Sequence, residues 1–140
     1  MAAEFRMSRR VEFAETDVSG NVHFSAFFRY MEEAEHGLWR ASGLTIFDPD
    51  SDIHYPRLST SFEFHSPLRF EDEFEICIQI AAITRRTVKY TCVLTCGDRK
   101  VATGTLVIVC VYMRSGEPMR ATEIPADIVE RLQAGGAPRG

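Results

Sequence analysis

Between Ala14 and Phe28 the chain reads AETDVSGNVHFSAFF, with the Asp17 carboxylate directly before a Ser19-Gly20-Asn21 turn and then His23 and a run of aromatic residues. An aspartate in such a place can hold its own backbone in a turn, cap an element, or act as nucleophile or base. From Ala26 to Ser42 the apolar residues Phe27, Tyr30, Met31, Ala34, Leu38 and Ala41 recur at steps of three and four. Arg29, Glu32, Glu33, His36 and Arg40 fall on the other side. The spacing predicts one amphipathic helix, with Ser25 as N-cap and Gly43 as its left-handed stop. The first N–H groups of a helix lack intrahelical partners and favour developing negative charge. A carboxylate close to such an end is what hydrolysis of an ester or thioester needs. The residues alone leave Asp17 open between this role and that of a turn residue.

The elements that must position this junction follow from periodicity. Glu4 to Ala14 is short and strand-compatible, with Phe5, Met7, Val11 and Phe13 apolar among charged neighbours. After a loop over 46–55, alternation takes over: Leu58, Thr60, Phe62 and Phe64 share one face, then Phe74, Ile76, Ile78 and Ile80, then Val88, Tyr90, Cys92 and Leu94. Val101 to Met113 is a more continuously apolar fourth run, and Gly97-Asp98 marks a hairpin turn before it. Strands spaced this closely, with no helix between them, must pair as antiparallel meanders. The expectation is an α+β domain of about five strands, in the order strand, long helix, four strands, with the helix stripe buried on one sheet face. Gly37 inside the helix suits either close approach to that sheet or an accident of the surface.

At 140 residues one domain accounts for the chain, with a loose tail over 134–140. A formal net charge of −4 disfavours a nucleic-acid binder, whose affinity comes from Lys and Arg on phosphates. Cys77, Cys92, Cys96 and Cys110 fall in strand-like text without a C-x-x-C pair, and the four histidines have no zinc spacing, so buried reduced thiols and no metal are expected. The absence of a signal-peptide pattern and of a run long enough to span a bilayer points to a cytoplasmic protein without membrane association.

The run F-A-E-T-D-V-S-G-N-V-H-F-S-A-F-F-R-Y-M-E-E-A-E resembles the signature of hotdog-fold acyl-CoA thioesterases of the 4-hydroxybenzoyl-CoA thioesterase type. The likeness continues through P-R-L-S-T-S-F-E-F-H-S-P-L-R-F-E-D-E-F, T-R-R-T-V-K-Y and V-A-T-G-T-L-V-I-V-C-V, and so covers about Phe5 to Met113. It implies a curved sheet wrapped around the helix, two subunits joined into one continuous sheet as a homodimer or homotetramer, and active sites at their interface. It also implies an acyl-CoA substrate, with coenzyme A entering as part of that substrate and no separate cofactor. Asp17 matches the family's catalytic aspartate, described as nucleophile or as general base for water. Phe24 matches the position whose backbone N–H polarises the thioester carbonyl.

His23 stands where many relatives carry Tyr, Phe or Trp; it reads as a ring in the pocket wall, or as a proton donor to the leaving group. Asn21 reads as a turn residue whose amide could hold the carbonyl oxygen or a water. Phe27 is divided between core and acyl pocket. Arg85, Arg86 and Lys89 match a segment that binds the nucleotide end of coenzyme A in relatives, and the two arginine guanidinium groups suit phosphates. The same basic rim would suit an acidic acyl carrier protein. A related branch takes its carboxylate from the helix, which makes Glu33 and Glu35 the fallback carboxylates. Two rivals stand beside hydrolysis: an enoyl-thioester hydratase or dehydratase on the same fold, and a non-catalytic dimer that binds acyl thioesters. The hydratase motif sets its His five residues after the Asp, whereas His23 follows Asp17 by six, and no Pro follows Asn21.

Overall fold

The computed structural model describes residues 3–135. Strand β1 (Glu4–Arg10) leads through a short 3-10 turn (Phe13–Glu15) to helix α1 (Ala26–Ala41). Then come β2 (Ile53–His54), β3 (Arg57–Phe64), β4 (Glu73–Ile83), β5 (Thr87–Cys96), β6 (Arg99–Val109), β7 (Val111–Tyr112), β8 (Arg120–Ala121) and a second helix, α2 (Ala126–Ala134). Five strands form an antiparallel sheet in the order β1-β4-β5-β6-β3. The short strands β2, β7 and β8 form a separate sheet of three.

The alternation of β4 and β5 produces the core directly. Phe74, Ile76, Ile78 and Ile80, with Val88, Tyr90, Cys92 and Leu94, are all buried on the face that receives α1. Register shifts at Ile80/Ala82 and at Leu94/Thr95 insert extra residues into the ladders and bend the sheet around the helix. At Gly37 a Cβ would lie 2.3 Å from the Phe5 ring, so α1 and β1 pack closer than any larger residue allows.

Four details depart from expectation. Ser25 stands at the N-cap position but its backbone is helical and its side chain caps nothing, because the hydroxyl instead pairs with His23 Nδ1 at 2.7 Å. Ala41 is exposed, and the buried stripe closes on Trp39, whose indole N–H donates to the Tyr90 hydroxyl at 2.8 Å. Glu35 falls within that stripe and is fully buried. Helix α2 was not foreseen: Ile128, Val129 and Leu132 pack its inner face against the core, and it takes up Ala134 from the expected tail, whose residues 136–140 lie outside the described residues.

The thiols are free; Cys92 and Cys110 are buried, and burial pushes the Cys92 thiol up to about 12 and the half-buried Cys77 thiol up to about 11. Among the described residues no helix is long and apolar enough to cross a membrane. Strand β3 is an edge. It pairs with β6 on one side only, and Leu58 and Phe64 are exposed. An edge of this kind presents unpaired backbone donors and acceptors to another strand.

Candidate active site

Asp17 sits in a small hairpin built by its own neighbours. Its N–H donates to the Asn21 carbonyl at 2.8 Å, Thr16 and Val22 form a bridge, and the His23 N–H donates to the Glu15 carbonyl at 2.8 Å. Gly20 closes the turn onto the Asp17 carbonyl with a φ of +83°, a conformation that an L side chain rarely adopts. The hairpin is docked on the segment before β4 through Val22 N–H to Leu68 O at 2.8 Å and an Asn21–Arg69 bridge.

Within the hairpin the Asp17 carboxylate is exposed and only one of its oxygens is engaged. Oδ1 accepts from both the N–H and the hydroxyl of Ser19, whereas Oδ2 has no protein donor among the described residues. The Ser19 hydrogen bonds, hydroxyl first, hold this carboxyl below its ordinary range. It is therefore ionised at neutral pH with one oxygen free, which a nucleophile and a general base both require.

The chain then enters α1. Ala26 N–H donates to His23 O and Phe27 N–H to Phe24 O, while the Phe24 N–H meets no acceptor among the described residues. That leaves a backbone donor free at the positive end of α1. His23 stacks on Phe24 with ring centroids 4.6 Å apart. Its Nδ1 accepts from the Ser25 N–H at 3.2 Å, so a neutral ring carries its proton on Nε2. Asn21 Oδ1 is enclosed without a hydrogen-bond partner.

In the single chain this junction lies open. Val18 and Phe24 on the hairpin, Phe70, whose N–H reaches the Gly20 carbonyl, and Phe13, whose ring meets Phe70, are all exposed, an apolar surface beside an ionised carboxylate. Phe27 is buried and touches the Phe62 and Phe64 rings at the far end of β3. An apolar groove of about 270 Å³ lies elsewhere, at the start of β3, lined by Ile46, Phe47, Tyr55, Val111, Met113 and Met119.

Residues 11–132 match the thioesterase-like superfamily. The chain belongs to that superfamily. It is similar to the 4-hydroxybenzoyl-CoA thioesterase of Pseudomonas sp. strain CBS-3, with 27% identity over 141 residues covering 93% of this chain and 98% of the relative. Among solved structures, a hypothetical protein from Aquifex aeolicus shares 30% identity at a TM-score of 0.83, covering 91% of this chain and 98% of that one. A 1,4-dihydroxy-2-naphthoyl-CoA thioesterase from Synechocystis, at 18% identity, shares the fold with a TM-score of 0.84 over 93% and 96% of the two chains. The fold is the hotdog fold of these thioesterases, a curved antiparallel sheet around one long helix.

On that thioesterase fold the remaining residues named from the sequence fall in two other places. Arg85 and Arg86 occupy the turn between β4 and β5, where Thr84 and Thr87 close the loop through Thr84 N–H to Thr87 O at 2.9 Å. Their carbonyls are tied down by Ile124 N–H and Cys110 N–H, and their side chains project into solvent. Arg85 lies 3.5 Å from Glu123 in an exposed pair, and Lys89 is exposed on β5. Glu33 and Glu35 are each engaged by an arginine. Glu33 accepts from Arg9 Nε at 2.8 Å, and Glu35 accepts from both Arg57 Nη atoms, at 2.6 and 3.1 Å. Sequence reasoning did not foresee Arg9, Glu15 or Arg57 as partners. Nothing in the spacing joins Arg57 to Glu35 across the whole loop before β3, and only the fold brings them together.

Proposed function

We propose that this chain hydrolyses acyl-CoA thioesters to a carboxylic acid and free coenzyme A at the junction of the Asp17 hairpin and α1. The observation that carries this reading is a pair of unengaged groups on one short segment, the Asp17 Oδ2 and the Phe24 N–H at the start of α1. The N–H, reinforced by the helix end, receives the thioester oxygen as it gains charge. Asp17 either attacks the carbonyl carbon, expelling the thiolate and leaving a mixed anhydride for water to cleave, or takes the proton of an attacking water. Coenzyme A enters as part of the substrate.

The exposed apolar surface around Asp17 and the open edge of β3 support a homodimer joined through that edge, with each site closed by the partner. Arg85, Arg86 and Lys89 are exposed, Arg85 in a surface pair with Glu123 that solvent weakens, and can grip the phosphates of coenzyme A. Two of the three relatives above are named for hydroxylated aromatic acyl-CoAs, which makes aromatic acyl groups the first to assay. Parallel assays with acyl carrier protein thioesters decide whether the same basic rim accepts an acidic carrier.

The test is turnover of an aromatic acyl-CoA, followed by free-thiol release, in the native chain and in Asp17→Asn. The amide keeps the Ser19 hydrogen bonds in part and removes the anionic oxygen. Turnover should fall about 10²–10⁴-fold with sedimentation unchanged. Undiminished turnover in Asp17→Asn would overturn the assignment.

A further inference from the structure

Two residues before Asp17, the Glu15 carboxylate is bonded from three sides. Its Oε1 accepts from the Tyr30 hydroxyl at 2.8 Å and from the Glu12 N–H at 2.9 Å. The Arg9 guanidinium closes over both oxygens, Nη1 to Oε1 at 2.7 Å and Nη2 to Oε2 at 2.6 Å. Arg9 in turn donates from Nε to Glu33 Oε1 at 2.8 Å and lies 4.7 Å from the centre of the Tyr30 ring. One guanidinium, two carboxylates and a phenol thus join β1, the 3-10 turn before Asp17 and the first half of α1.

We propose that Glu15 is a positioning residue for hydrolysis, holding the Asp17 hairpin at a fixed place relative to the start of α1. This rests on the reading of Asp17 and Phe24 given above. Glu15 acts from both its ends. Its carboxylate is fastened to Tyr30 on the helix, and its carbonyl receives the His23 N–H, immediately before the free Phe24 N–H. The carboxylate and the helix end are therefore referred to one common anchor. Stability alone would not call for such a group. The Arg9 and Glu15 side chains are each only 17% exposed, and partly desolvated ion pairs commonly gain little over well-packed apolar residues. What a fork of fixed donors adds is a single geometry. The hairpin otherwise exposes Val18 and Ser19 to solvent, and the Asp17 side chain bonds only to Ser19 within it.

The experiment compares steady-state hydrolysis of an aromatic acyl-CoA by the full chain and by Glu15→Gln, Tyr30→Phe and Asp17→Asn, well below their melting temperatures. Glu15→Gln keeps the size and an acceptor oxygen but loses the ionic fork, and its kcat should fall about 10–100-fold, as for displacement of a reacting group by about an ångström. The KM should stay within about threefold of the native value, because substrate touches none of these atoms. Tyr30→Phe removes one hydrogen bond and no charge, and should lower kcat less with the same constancy of KM. The variant carrying both Glu15→Gln and Tyr30→Phe should lose little more than Glu15→Gln, as members of one unit do. Native kcat in Glu15→Gln, alongside an inactive Asp17→Asn, would overturn the positioning role and leave the Asp17 reading standing. A rise in KM that accounts for the whole loss in kcat/KM would overturn it too. Full activity in Asp17→Asn would remove the reading on which the proposal rests. Should Glu15→Gln fail to fold, Tyr30→Phe decides alone: an unchanged kcat sinks the proposal.

Discussion

Arg57→Ala tests how the edge strand is held to the central helix. The Glu35 carboxylate has no solvent exposure, and Arg57 supplies both of its short charged contacts, together with a 2.9 Å bond to Glu32. Removing the guanidinium leaves a buried carboxylate without its counter-charge, a change that costs about 3–5 kcal/mol in comparable pairs. Because the Arg57 side chain is 32% exposed, water can reach part of the vacated space, and the lower end of that range, about 3 kcal/mol, applies. For a domain of this size that is a fall in melting temperature of roughly 8–12 °C.

The pH dependence of that loss is the sharper part. Burial raises the Glu35 carboxyl above its ordinary range even with Arg57 present, and removing Arg57 takes away the largest opposing contribution. A carboxyl with a raised folded pKa penalises the fold as pH climbs above the unfolded value and is relieved when it protonates. Arg57→Ala should therefore lose about 3 kcal/mol near pH 8 and less than half of that near pH 5. Urea titrations at both pH values, at one protein concentration, measure this. Equal losses at the two pH values, or a loss under about 1 kcal/mol near pH 8, would refute the view of Glu35 as a buried anion held by Arg57.

Three further outcomes are expected. Changing Arg85 and Arg86 to Ala should raise KM for acyl-CoA about 10-fold or more with little change in kcat, and leave a short thioester without the nucleotide unaffected; equal effects on both substrates would make the turn structural. Because Asp17 is held below its ordinary range in the free chain, kcat/KM should show no acid limb between about pH 5 and about pH 7. An acid limb within that range in stopped assays would refute Asp17 as the group that must be ionised. Gly37→Ala should destabilise by about 1–3 kcal/mol in chemical denaturation, despite the better helix propensity of alanine, because the added methyl meets the Phe5 ring; a stabilised variant would show that β1 yields freely.

The sequence by itself carried the long helix, its place after the first of five main strands, and the inward faces of β4 and β5, because those follow from local period and need no knowledge of neighbours; the short strands β2, β7 and β8 and helix α2 did not stand out. Turn, carboxylate and helix start adjacent along the chain marked Asp17 as an open candidate, and it was the resemblance to the thioesterase signature that singled out Asp17 and Phe24. What the tertiary structure decided is what depends on distant partners. The three-four spacing marked Glu33 and Glu35 only as helix carboxylates. Packing against β1 and β3 turned one into a partner of Arg9 and buried the other under Arg57. The same spacing put Ala41 inside and passed over Trp39, because a helix wrapped by a curved sheet buries more than one stripe. Glu15 drew no reading from the sequence. Its carboxylate gained a role only when β1 and α1 brought a guanidinium and a phenol within 3 Å of it, since Coulombic and hydrogen-bonding contacts depend on separation in space, which the spacing of residues along a chain does not encode.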